Sequence, residues 1–185
     1  MYREIGKAVL RDWRVEDAPA IVKYGNNRKV WANLRDGFPH PYRLGDAEAF
    51  VDRVNAAEPR TVFAIATETE AIGAIGLMIG ADVHRYTAEM GYWLGEPFWG
   101  RGIMTRAVRS LTEWAFDTLG LHRISAEPYA TNPGSHRVLE KAGFACEGRR
   151  RCSAFKNGKV VDQLIYSCLP GDRLRCGDED RFESK

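Results

Sequence analysis

One stretch, Thr87 to Pro128, limits the possible folds more than any other part of the chain. Thr87 to Leu94 reads as a strand and runs into a turn that contains Gly95, Gly100 and Gly102. Ile103 to Leu119 follows as a helix, because Met104, Ala107 with Val108, Leu111, Ala115 and Leu119 recur at helical spacing, and Gly120 stands where a C-cap belongs. Arg123 to Pro128 is a second short strand. A strand, a long helix and a strand in succession need a crossover connection, so the two strands lie parallel in one sheet.

The other segments add antiparallel pieces to that pair. Val9 to Trp13 reads as a first strand, and Glu16-Asp17-Ala18-Pro19 as a helix start leading into Ile21, Val22 and Tyr24. The stretch between this helix and the next is irregular, and within it Gly37-Phe38-Pro39-His40-Pro41-Tyr42 cannot be a helix, since each proline lacks a donor and forces the residue before it into extended geometry. Asp46 opens a second helix with Ala49, Phe50 and Val54 on one face. Thr61 to Thr67 and Ala71 to Ile79 join Thr87 to Leu94 in an antiparallel meander. Asn132-Pro133 starts a further helix that ends at Gly143. Phe144 to Phe155 and Val160 to Leu169 flank Asn157-Gly158, the signal of a two-residue hairpin. Residues 1–170 are expected to form one domain and the charged residues 171–185 a frayed tail.

At 185 residues, with 44% hydrophobic and 28% charged, the chain is long enough for one soluble domain with a sizeable core. Lys plus Arg number 27 and Asp plus Glu 25, a net charge of +2 that creates no global field for nucleic acid or an anionic membrane. Neither is expected as a partner, and any anionic ligand must be held locally. Cys146, Cys152, Cys168 and Cys176 show no CxxC pairing, and no N-terminal apolar run resembles a signal peptide. Free thiols in a cytoplasmic protein without a metal site are the expectation. Gly, Glu or Arg interrupts the apolar stretches before the roughly 20 residues that a membrane span needs.

The glycine turn is the candidate for such a local anion site. Glycines let the backbone approach a ligand closely, and the first turn of a helix presents unpaired N–H groups with a partial positive charge, which suits a phosphate or pyrophosphate. Arg101 adds a cation. No Gly-Lys-Ser/Thr follows, which excludes a P-loop, and no G-x-G-x-x-G opens the first strand-helix unit, which excludes the dinucleotide fingerprint.

Trp99-Gly100-Arg101-Gly102-Ile103-Met104-Thr105, with the strand before it, is one of two informative motifs. The other is Asn132-Pro-Gly-Ser135-His-Arg-Val-Leu-Glu-Lys-Ala-Gly143-Phe144 followed by Glu147-Gly148. Together they resemble the GNAT acetyltransferase superfamily, and within it the RimJ/RimL-type branch of protein N-terminal acetyltransferases. The resemblance spans roughly residues 8–169 and implies an α/β (α+β) fold, a mixed and mostly antiparallel twisted sheet of roughly six to seven strands with about four helices. Its central strands would splay to form the cofactor cleft. The resemblance further implies acetyl-CoA as co-substrate, no metal, and a monomer or homodimer. The implied acceptor is a primary amine: a peptide N-terminus, or a small molecule such as a polyamine or amino sugar. The family's pyrophosphate loop, Gln/Arg-x-x-Gly-x-Gly/Ala, falls on Trp99 to Met104. Trp99 and Met104 depart from its polar first and small last residues, so the backbone N–H groups of Gly100 to Thr105 are expected to hold the anion.

Acyl transfer to an amine sets the remaining roles. The amine is mostly ammonium near neutral pH and must lose a proton before it attacks, which calls for a carboxylate or a water chain. Glu89, on the strand that enters the turn, is the candidate base, against a reading as a solvent-facing strand residue. Glu96 reads as surface. Backbone N–H groups of Trp93, Leu94 and Gly95 would meet the charge that develops on the thioester oxygen. Ser135 resembles the residue that faces the cofactor sulfur. Asn132 reads first as a helix cap, with a bond to the pantetheine arm compatible, and Arg137 and Lys141 face either the cofactor phosphates or solvent. On the acceptor side, Trp31, His40 and Tyr42 are candidates in the irregular segment, and Phe38 reads as packing. Arg149-Arg150-Arg151 reads as a solvated strand edge that discourages pairing.

Overall fold

The computed structural model describes residues 1–172. The expectations for Cys176 and for the tail from 173 onward lie outside the described residues. In chain order the elements are β1 (Tyr2–Glu4), β2 (Val9–Arg11), α1 (Ala18–Gly25), α2 (Arg28–Trp31), α3 (Leu44–Asn55), β3 (Val62–Ala66) and β4 (Ala71–Ile79). They continue with β5 (Thr87–Leu94), α4 (Ile103–Leu119), β6 (Arg123–Ala126), α5 (Pro133–Lys141), β7 (Ala145–Lys156) and β8 (Lys159–Cys168).

The strands form one sheet in the order β1-β2-β3-β4-β5-β6-β8-β7. This is one strand more than the upper expectation. The extra strand, β1, is three residues long with Arg3 and Glu4 among them, too short and too charged to announce itself by alternation. It pairs with β2 from Tyr2↔Arg11 to Glu4↔Val9. A second difference is α2, one turn inside the segment read as irregular, where the Asn27 side chain accepts from the Lys29 N–H at 2.8 Å and caps the turn.

The parallel pair is β5 with β6, as the crossover requires. The other neighbours are antiparallel, including the β3-β4-β5 meander. At the Asn-Gly hairpin both central residues are left-handed, Asn157 at φ +50° and Gly158 at φ +76°, which matches the twist of the strands it joins. The edge strands are β1 and β7, so the arginine run does lie on an exposed sheet edge.

The sheet has a core on each face. On one, α4 packs its stripe of Ala107, Val108, Leu111 and Ala115 against Ile75, Leu77 and Met90. On the other, Trp13, Ile21, Tyr42 and Val51 pack against Ala64 and Ala74. Side chains alternate along a strand, so β5 serves both cores: Ala88, Met90 and Leu94 face α4, and Trp93 faces the side of α1 and α3. Among the described residues, no helix is long and apolar enough to cross a membrane.

Candidate active site

Pairing between β5 and β6 runs only from Thr87↔Arg123 to Glu89↔Ser125. Beyond Glu89, β5 continues for five residues while β6 turns away toward β8, and the wedge between them opens into a cavity of about 810 Å³. It reaches from the glycine turn to the segment between α2 and α3, and residues 89–94 line it throughout.

At one end lie Gly100 and residues 102–105. Gly100 and Gly102 have φ of +74° and +70°, and a Cβ on Gly100 would meet nothing within 4 Å, so the loop backbone is open to a ligand. Gly102 is the N-cap of the 17-residue α4 and supplies no side-chain cap, which leaves the N–H groups of the first turn for an anion. Arg106 braces the loop: its Nε donates to the Ile5 carbonyl at 2.9 Å and its Nη2 to the Arg101 carbonyl at 3.3 Å. Trp99, out of keeping with a polar first loop residue, donates from Nε1 to the Leu94 carbonyl at 2.7 Å and ties the turn to the end of β5. Arg137 and Lys141 line the same end of the cavity. Arg101 does not; its guanidinium sits 5.7 Å from the centre of the Phe98 ring.

Midway, the first turn of α5 meets β5. Asn132 caps α5 by accepting from the Ser135 N–H at 3.2 Å, which fixes Ser135 in the cavity wall. Ser135 Oγ lies 2.7 Å from the phenol oxygen of Tyr92. Burial pushes the Tyr92 phenol well above its ordinary value, so it stays protonated at working pH. Sequence reasoning passed over Tyr92. The available signal was the period of two, which sets Tyr92 on the face of β5 opposite to Glu89.

At the far end, Glu89 is half-buried in the lining and ion-paired with Arg35, whose Nη2 donates to Oε1. That hydrogen bond holds the Arg35 guanidinium above its ordinary value, with Glu127 and Tyr129 adding to the effect. Glu127, also in the lining, accepts from Arg150 Nη1 at 2.7 Å. Arg35 and Glu127 carry no sequence signal, because their relation to Glu89 depends on how the chain folds back over β5.

The other sequence candidates divide. Trp93, Leu94, Gly100, Gly102, Met104, Thr105, Asn132, Ser135 and Arg137 come together in the lining, and Gly95 does not, being packed against Tyr24. Tyr42 lines the cavity from within the core, 5% exposed, and burial pushes its phenol up to about 12. Trp31 and His40 stack on each other at 5.5 Å outside the lining. The buried Lys156 places its ammonium 3.8 Å from the centre of the Trp31 ring and 2.6 Å from Asp36. Phe38 packs on Tyr42 and Trp93, as expected, and also lines the cavity. Glu96 is more than surface: it accepts from Asn27 Nδ2 at 2.7 Å and pairs with Lys29, which ties the turn after β5 to α2.

Residues 7–145 match the family profile for the acetyltransferase (GNAT) domain. The probable N-acetyltransferase YjcK of Bacillus subtilis is 41% identical over 107 residues, which span 58% of this chain and 59% of that protein. The ribosomal-protein-serine acetyltransferase of Escherichia coli is 32% identical over 106 residues, spanning 57% and 59%. Both matches thus cover less than two thirds of the relative's length. Among solved structures, Mycobacterium smegmatis RimJ in complex with CoA-disulfide superposes with a TM-score of 0.81 at 23% identity, covering 92% of this chain and 86% of that one.

Proposed function

Since the chain belongs to the GNAT acetyltransferase family, in its RimJ/RimL-like branch, we propose that it transfers an acetyl group from acetyl-CoA to a primary amine, with a peptide N-terminus as acceptor. The observation that carries this reading is one continuous cavity with an uncapped helix start, a hydroxyl and a carboxylate along it. The open glycine turn and the uncapped start of α4 fit a pyrophosphate, and the unpaired edge of β5 fits an amide-bearing arm laid along it. Bound there, acetyl-CoA would supply an activated thioester.

The chain's own residues do the rest. Gly100 to Thr105 hold the anion through backbone dipoles, with Arg137 and Lys141 adding charge. The backbone N–H of Leu94, on the unpaired edge of β5, stabilises the oxygen of the acyl group as charge develops on it, whereas the Trp93 N–H faces β4 in step with that of Gly95, which donates to the Ile72 carbonyl at 2.8 Å. Glu89 takes the proton from the acceptor ammonium at a carboxylate oxygen, with Arg35 holding the carboxylate in place. Ser135 donates a hydrogen bond toward the departing sulfur, and Tyr92 orients it. Glu89 and Tyr92 lie on opposite faces of β5, so the amine enters from the α1/α3 side and the thiol departs on the α4/α5 side. Both substrates then fit at once, which supports direct transfer in a ternary complex.

An acetyl-transfer screen with purified protein against N-terminal peptides, amino sugars and polyamines tests the reading. Glu89→Gln should lower transfer and move the remaining activity to higher pH, with acetyl-CoA affinity nearly unchanged. A chain that binds acetyl-CoA and acetylates no amine would instead be a sensor module.

A further inference from the structure

The face of β4 and β5 toward α1 and α3 has a gap in it. In register, Ala74 pairs with Trp93, Gly76 with Gly91 and Met78 with Glu89. Ala74 and Trp93 belong to the core on that side, so by alternation Gly91 and Glu89 face the same way. A Cβ on Gly76 would lie 2.8 Å from Val62 Cγ2, so Val62 fills that half of the gap. Gly91 is exposed, and a Cβ there would meet nothing within 4 Å. A hollow therefore stands over Gly91, inside the cavity, with Val62, Met78, Trp93 and Phe38 among the residues lining that side and Glu89 two residues away on the same strand face.

The charge of this hollow is already balanced. Glu89 is paired with Arg35, and Glu127 beyond it with Arg150. A polyamine would bring second and third ammonium groups against apolar walls, with no carboxylate among the described lining residues left unpaired to receive them, and desolvating them there is costly. An uncharged side chain beside the reacting amine would instead gain by burial.

Resting on the acetyl transfer proposed above, we infer that the acceptor carries an uncharged, apolar substituent next to its amine, seated over Gly91. This makes it an N-terminal peptide of that kind and not a polyamine, and makes Gly91 the residue that sets how large the first side chain can be.

The experiment measures kcat/KM with acetyl-CoA for peptides that differ only in a first residue of Gly, Ala, Leu or Lys, and for spermidine, using wild type, Gly91→Ala and Gly91→Leu. In the wild type, the Ala and Leu peptides should exceed the Lys peptide and spermidine by at least about tenfold. Gly91→Leu should lower the Leu-to-Gly peptide ratio by at least about tenfold, and Gly91→Ala by less, with acetyl-CoA affinity by calorimetry within about twofold of wild type. An unchanged ratio in a folded Gly91→Ala or Gly91→Leu protein would overturn the inference, as would a preference for spermidine, and either result leaves acetyl transfer standing. If the wild type acetylates no member of the panel, the transfer reading fails first and takes this one with it.

Discussion

At the scale of single residues, the contact between Tyr92 and Ser135 illustrates how one neutral hydroxyl can direct another. The Tyr92 phenol keeps its proton because burial disfavours the phenolate. When that O–H donates to Ser135 Oγ across 2.7 Å, the serine's own proton is turned into the cavity, where a departing thiolate can accept it. Tyr92→Phe keeps the ring and removes the donor. It should lower kcat about tenfold with KM for acetyl-CoA within about twofold, and the double variant with Ser135→Ala should be no slower than Ser135→Ala alone. Additive losses in that double-mutant cycle would show that the two residues do not act as a unit. The sequence motif pointed to Ser135 and the strand position to Glu89, and both stand in the cavity wall. Their partners Tyr92 and Arg35 stayed hidden, because a side chain 43 or 54 positions away in the chain becomes a neighbour only through the fold.

The elements show the same division between what a sequence pattern reveals and what only pairing decides. The unit of β5, glycine turn, α4 and β6 was legible because long elements repeat their period and glycines punctuate them. β1 and α2, at three and four residues, are too short to repeat their periods and left no trace. The point where the β5–β6 ladder stops was equally invisible, since nothing in Met90 to Leu94 differs in kind from a paired strand. Yet the cavity exists because of that stop. The turn at its end carries a clear expectation: Gly102→Val places a branched side chain at φ +70°, at a cost of about 1–2 kcal/mol for the left-handed backbone alone. Its Cβ would also lie 3.0 Å from Arg106 Nη1, the guanidinium that braces the loop. Calorimetry should register a loss of acetyl-CoA affinity of at least about tenfold. Undiminished affinity would move the anion site away from the start of α4.

Across the whole molecule, three strands are tied together by a single carboxylate. Glu147 of β7 accepts from Arg123 of β6 and, at 2.6 Å, from Ser167 of β8, and these bonds hold its carboxyl at about 2. A carboxylate whose pKa is lower folded than unfolded adds stability that is present above the ordinary carboxylate range and lost as pH falls through it toward about 2. Melting temperature should therefore drop between about pH 5 and pH 2.5, and Glu147→Gln should flatten that drop. The side chain is 40% exposed, so the effect is modest and shrinks in high salt. A variant as acid-sensitive as wild type would assign the loss to other carboxylates. The sheet order also has a consequence in time. A ribosome releases β8 last among the strands, yet β8 lies between β6 and β7 and joins them. The hairpin before it carries Lys156, which pins the Asp36 and Trp31 segment beside the acceptor end. The cleft thus acquires its final wall only after β8 has left the exit tunnel, so a nascent chain that already carries β5, the glycine turn and α4 still lacks that wall.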